Sequence, residues 1–128
     1  MIYVYFPHDE GFPYKETKEL YEKTQEDIGD SNAFDNVINK TLFMAFKEDD
    51  KLLGGIYYYT LPDDPRVYVN VFSGRKTHLS NLKCLKWSLN GFVGDIYAKT
   101  KHRHIRILAM RLGFKKISDD LLVYNTGR

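Results

Sequence analysis

Residues 41–72 read TLFMAFKEDDKLLGGIYYYTLPDDPRVYVNVF, and this stretch decides the fold class. Residues 41–46 and 52–60 are apolar and aromatic runs of strand length, joined by a charged tip at 47–51. A turn with prolines at 62 and 65 follows. Residues 66–72 then alternate, with Val67, Val69 and Val71 on one face and Tyr68, Asn70 and Phe72 on the other. Three strands in succession with short turns predict an antiparallel meander. Upstream the period is helical. Residues 15–28 offer Leu20, Tyr21, Thr24 and Ile28 as a core face. Phe34, Val37 and Ile38 mark a second, shorter helix that Ser31 or Asn32 is suited to cap. Residues 2–6 read as a short strand that Pro7 ends.

Downstream of the meander, residues 73–77 form a turn into a helix over 78–90. Its expected buried face is Leu79, Leu82, Leu85 and Leu89, with Lys83 and Lys86 outside and Gly91 as its stop. Residues 95–100 read as a strand and 101–112 as a helix that buries Ile105, Leu108, Ala109 and Leu112. Gly113 ends that helix, and 114–117 with 121–124 make a closing hairpin. The predicted order is β-α-α-β-β-β-α-β-α-β-β. It implies a mixed sheet of the α/β (α+β) class with helices on both faces, as one domain over residues 1–128.

A chain of 128 residues builds one core and not two. Its net charge of +2 conceals a strong polarity. Residues 1–64 carry 14 acidic and 6 basic side chains, whereas residues 65–128 carry 3 and 13. A basic C-terminal half predicts a polyanionic ligand there, or charge neutralisation between the halves within the fold. Cys84 is the single cysteine, so an intrachain disulfide and a cysteine-based zinc site are excluded. A reducing, cytoplasmic setting is expected. The N-terminal residues lack the basic start of a signal peptide, and no apolar run reaches membrane length, so no membrane partner is expected.

The segment IRILAMRLGF at 105–114 resembles the penultimate helix of the GNAT N-acetyltransferase superfamily, which closes with Leu-Gly-Phe into a strand. The strand–turn–helix over 66–90 resembles that family's acetyl-CoA motif. There a strand ends in a Gln/Arg-x-x-Gly-x-Gly/Ala turn whose amides hold the pyrophosphate at a helix N-terminus. The matching frame here is Arg75, Lys76, Thr77, His78, Leu79 and Ser80. Arg75 agrees with the pattern, Ser80 is small, and His78 stands where glycine is usual. The resemblance covers essentially the whole chain. In its compactness and divergence it is closest in style to the short GNAT-like proteins of bacteriophages.

The resemblance implies an acetyl-CoA-dependent N-acetyltransferase acting on an amine of a protein or small molecule. It places the cofactor site at Val71, Phe72, residues 75–80 and His102. It further implies that a backbone amide within residues 69–72 polarises the thioester carbonyl, the pantetheine arm pairing where the strand splays after Phe72. The family's usual proton donor, a tyrosine four residues before the Gly-Phe pair, corresponds here to Ala109. Asn70, His102 and Tyr97 are the substitutes available as catalytic residues, with His104 beside them. Tyr57, Tyr58 and Tyr59 lie on the neighbouring strand, so at least one faces the cleft. The acidic residues Asp9, Glu10, Glu16 and Glu19 would favour a cationic acceptor if they form its rim. Two other readings stay open. One is a binding protein of this shape without turnover, holding CoA or blocking a host partner. The other is a nucleic-acid-binding protein using the basic half, with Tyr68, Phe72, Trp87 and Tyr97 for stacking.

Overall fold

A computed structural model describes residues 1–74 and 76–126, the side chains of Asp27 and His104 excepted. Along them run β1 (Ile2–Tyr5), α1 (Tyr14–Ile28), α2 (Phe34–Lys40), β2 (Leu42–Glu48), β3 (Lys51–Leu61) and β4 (Asp64–Ser73). Then follow α3 (His78–Leu89), β5 (Asp95–Lys99), α4 (Arg103–Leu112), β6 (Lys115–Lys116) and β7 (Leu121–Asn125). The predicted order of elements holds, and only their ends move.

The strands form one sheet in the order β1-β2-β3-β4-β5-β7-β6. Neighbours are antiparallel except β4 and β5, which run parallel. The parallel pairing is short: Val67 faces Ile96 and Tyr68 faces Tyr97, and there it stops. On its other edge β4 stays paired with β3 as far as Ser73. The two central strands therefore splay from Val69 onward, four residues earlier than the sequence reading placed it.

Strand alternation divides the core between the sheet's two faces. Met44, Ile56, Tyr58, Val69, Ile96 and Leu122 pack with Cys84, Leu85, Leu89 and Ala109 of α3 and α4. On the opposite face Phe43, Ala45, Tyr57 and Phe72 pack with Tyr21, Phe34 and Val37 of α1 and α2. That second core is largely aromatic, with Phe43 and Tyr57 stacked at 5.7 Å and Tyr21 edge-on to Phe72 at 5.6 Å.

Three local expectations are corrected. Leu79 is 60% exposed, and α3 instead buries Asn81, Cys84, Leu85, Ser88 and Leu89. Its seat on the sheet is polar at one end: Asn81 Nδ2 donates to the Phe72 carbonyl at 3.2 Å and Thr77 Oγ1 to the Leu53 carbonyl at 2.6 Å. Neither Ser31 nor Asn32 caps α2, whose N-cap is Ala33; the loop is held instead by Asp30, whose Oδ1 accepts from the Asn32 backbone N–H at 2.9 Å. Gly91 is not the C-cap of α3, which is Asn90 in ordinary helical geometry, whereas Gly113 does end α4 with φ of 118°.

Gly54 and Gly55 on β3 make the close approach of α3 and β4 feasible. A Cβ on Gly54 would lie 2.3 Å from the Phe72 carbonyl oxygen and 2.8 Å from Asn81. A Cβ on Gly55 would lie 2.4 Å from the Phe72 ring. These glycines thus let β4 and the start of α3 meet where the splay opens.

Candidate active site

The splay leaves a space on each side of the sheet. On the α3/α4 side is a narrow channel of about 70 Å³, walled by Val69, Val71, Leu82, Leu85, Ala98, Ile105, Ala109, Phe114 and Leu122. On the α1/α2 side is a wide cavity of about 640 Å³. It is bounded by the end of α1 and the loop after it (Glu26, Ile28, Asp30, Asn32), by α2 (Asn36, Lys40), by Tyr57 and Tyr59 of β3, and by Lys101 and His102 beyond β5. Ile28, Asn70, Lys99 and Thr100 line both spaces. The channel and the cavity therefore meet at the opening between β4 and β5, with Asn70 on one lip and Lys99 and Thr100 on the other.

At that meeting point Asn70 belongs to a chain of hydrogen bonds. Its Nδ2 donates to Tyr57 Oη at 3.1 Å, and Tyr57 donates to Asp30 Oδ2 at 2.7 Å. Asp30 Oδ1 accepts from both the backbone N–H and the side-chain amide of Asn32, at 2.9 and 2.7 Å. Burial, and then the hydrogen bond to Asp30, hold the Tyr57 phenol far above its usual pKa. Tyr57 is thus a neutral donor, and Asp30 is the negative end of the chain. Tyr59, at the rim, is pushed up to about 12, first by burial and then by the charge of Asp30. Tyr58 points to the opposite face and shares a 2.5 Å hydrogen bond with Ser88.

The residues expected at the site fall into several places. Asn70 and His102 line the wide cavity, and the His102 backbone N–H donates to Thr100 Oγ1 at 3.1 Å. Tyr97 lies outside both spaces, beside Tyr68, and the Arg66 guanidinium stands 5.2 Å from its ring centre and 5.6 Å from that of Tyr68. Val71 lines the channel, but the Phe72 side chain is turned into the opposite core, and its carbonyl is already taken by Asn81. In the turn before α3 and in its first residues, Lys76, His78 and Leu79 are exposed and Ser80 is half-buried. Thr77 is buried, spending its hydroxyl on Leu53. Arg75 and the His104 side chain lie outside the described residues. Ala109 is buried on the channel wall, at the position the resemblance assigns to a proton donor.

Two further sets of residues named from the sequence can be placed, and of the proposed stacking residues Trp87 is exposed. Asp9, Glu10, Glu16 and Glu19 do not line the wide cavity; its carboxylates are Glu26, Asp30 and Asp120. Tyr68 and Phe72 are each 2% exposed, so neither ring is open to stack on a base. Asp30, Tyr57, Lys99, Thr100 and Lys101 carry more of the site than the sequence indicated. Asp30 reads along the chain as part of a helix break, and the Lys-Thr-Lys run as the end of one strand and the start of a helix.

No protein-family model matches the chain, and no match is found among curated proteins. Solved structures do match. Aminoglycoside 6'-acetyltransferase type Ii superposes with a TM-score of 0.71 at 18% identity, over 100% of this chain and 98% of that one. A GNAT family acetyltransferase from Elizabethkingia anophelis, solved with acetyl-CoA bound, gives 0.63 at 16% identity over 97% of each chain. N-acetylglutamate synthase from Neisseria gonorrhoeae, complexed with coenzyme A and N-acetyl-glutamate, gives 0.72 at 14% identity, and this chain spans only 36% of its length. Such identities speak for backbone architecture and not for chemistry. The seven-stranded mixed sheet opened between its two parallel central strands, with helices on both faces, is the GNAT fold.

Proposed function

We propose that this protein is an acetyl-CoA-dependent N-acetyltransferase for an amine. The observation that carries the reading is the meeting of two unlike spaces at Asn70, Lys99 and Thr100. The narrow apolar channel suits the thin pantetheine arm and a short acyl group. The wide cavity, with charged and polar side chains among its lining, suits an acceptor that arrives from the other face. Basic residues at the start of α3, Lys76 and His78 with Arg75, supply charge for the phosphates. The edge of β4 that faces β5 makes no strand pairing beyond Tyr68, so backbone amides between Val69 and Phe72 are available to polarise a thioester carbonyl.

The chemistry asks little more of the chain. The acceptor nitrogen loses a proton and forms the bond to the carbonyl carbon as the carbon–sulfur bond breaks, and the departing sulfur takes up a proton. Asn70, anchored through Tyr57, holds the amine at the lip of the channel with its Oδ1. His102, on the cavity wall, is the residue type that takes and returns a proton near neutral pH. Ala109 offers nothing to the leaving sulfur, and among the described channel residues Thr100 carries the only hydroxyl. That loss is tolerable. A thiol's ordinary pKa of about 8.5 lies roughly 1.5 units above neutral pH, so releasing the thiolate costs only about 2 kcal/mol. The binding-only alternative, which rests on Ala109, is weakened to that extent.

Isothermal titration with CoA, together with thiol release from acetyl-CoA over a panel of amines, tests the reading. The expected result is saturable CoA binding and amine-dependent release. Absence of CoA binding would sink it.

A further inference from the structure

The wide cavity is not the anionic cleft that a simple cation would choose. Lys40, Lys99 and Lys101 all line it, and among the described residues none has a carboxylate within ion-pairing distance. Lysines that share one concave surface repel each other, and the repulsion is felt more strongly there than on an open surface. Lys40 and Lys101 border the wide cavity and not the channel, whereas Lys99 lines both. Asp30 is placed differently. Tyr57 joins it to Asn70 in two hydrogen bonds, which puts a carboxylate beside the opening between β4 and β5. Both Asp30 oxygens are fixed by neighbours that only donate to it, so its charge keeps its position. The cavity thus combines a fixed carboxylate tied to Asn70 with three lysines, Lys99 among them at the lip. Glu26 and Asp120 also line it, but Asp120 is engaged by the Ser118 hydroxyl at 3.2 Å and pairs with no lysine.

Resting on the acyl-transfer reading above, we infer that the acceptor is an amphoteric small molecule: a primary amine that also carries an anionic group, carboxylate or phosphate. Its ammonium is drawn to Asp30 and delivered to Asn70, while its anion sits between Lys40 and Lys101. At about 640 Å³ the cavity lies in the range that encloses a small molecule or a short peptide end. A linear di- or polycation of the same size would meet three lysines with no anion of its own to offer.

The test uses the full chain. CoA binding is measured first by calorimetry, because its absence overturns the acyl-transfer reading and this inference with it. The CoA-saturated protein is then titrated, with NMR detection, against glycylglycine, 2-aminoethyl phosphate and 1,4-diaminobutane. Both anion-bearing amines are expected to bind more tightly than the diamine, and their ratio tells carboxylate from phosphate. Lys101→Glu, and separately Lys40→Glu in case one variant folds poorly, should weaken the anion-bearing amines about tenfold, tighten the diamine, and leave CoA affinity unchanged. A diamine that binds the wild type as well as the anion-bearing amines overturns the inference while leaving the acyl-transfer reading standing. So does failure of both anion-bearing amines to bind.

Discussion

Tyr57 Oη donates to Asp30 Oδ2 at 2.7 Å, tying the loop after α1 to the middle of the sheet across 27 residues of chain. The same oxygen accepts from Asn70 at 3.1 Å, so one phenol links the helix break, the central hairpin and the lip of the splay. Its ring is meanwhile packed against Phe43, Tyr21 and Phe72.

Tyr57→Phe keeps that packing and removes both hydrogen bonds. Stability in urea should fall by about 1–3 kcal/mol, the cost of leaving polar partners unmet. The variant should also change the alkaline limb. Tyr57 has a folded pKa raised above its unfolded value, so the stability it adds is complete below about pH 10 and is lost as pH rises towards the folded value. Replacing it should flatten the decline of melting temperature above pH 10, and an unchanged slope would remove Tyr57 as its cause.

The acid limb has a different origin. Arg66 hydrogen-bonds the Asp64 carboxylate at 3.1 Å, and Tyr68 Oη donates to it at 2.7 Å. Together they hold its pKa well below the usual carboxylate range. A group depressed in the fold stabilises above its unfolded pKa and ceases to as pH falls through the folded one. Asp64→Asn should therefore cost stability at neutral pH and leave melting less sensitive to acid below about pH 4. Thermal melts of the two proteins between neutral and acid pH decide this.

Gly54 and Gly29 separate two reasons for glycine. Gly54→Ala puts a Cβ 2.3 Å from the Phe72 carbonyl and so forces β4 and α3 apart. Gly29→Ala meets no atom within 4 Å but sits at φ of 68°, where an L-residue costs about 1–2 kcal/mol. Gly29→Ala should lose about that much and remain folded. Gly54→Ala should lose more and weaken CoA binding as well, because the start of α3 is what moves. Equal losses with intact CoA affinity would contradict the close packing.

Ala109→Phe tests the channel directly. The added ring exceeds what about 70 Å³ can accept beside Phe114 and Leu122. Overpacking of this kind costs about 1–3 kcal/mol, which leaves room for a folded protein. CoA affinity should drop at least about tenfold while the far-UV circular dichroism is unchanged. Wild-type affinity in a folded variant would place CoA elsewhere.

Much of this architecture is legible along the chain because local rules and packing agree. Val67, Val69 and Val71 alternate with Tyr68, Asn70 and Phe72, and both sets are needed since β4 is covered on both faces. Where they disagree, the reading fails. Leu79 has helical spacing with Leu82 but lies at the exposed start of α3, where Asn81 takes the buried place because it can reach the Phe72 carbonyl. The turn around Lys76 and His78 was visible as a basic motif, since charge and proximity in sequence suffice to show it.

The order of strands and helices, the charge contrast between the halves and the small residue at position 109 are properties of the sequence itself. They follow from periodicity and composition, which act between near neighbours. The pairing of Tyr57 with Asp30, the early splay from Val69 and the lysines that share a cavity with a carboxylate were decided only by the tertiary structure. Those relations depend on how far β4 and β5 stay paired and on which loop the α1 helix delivers to the opening. No local rule governs contacts between residues so far apart in the chain.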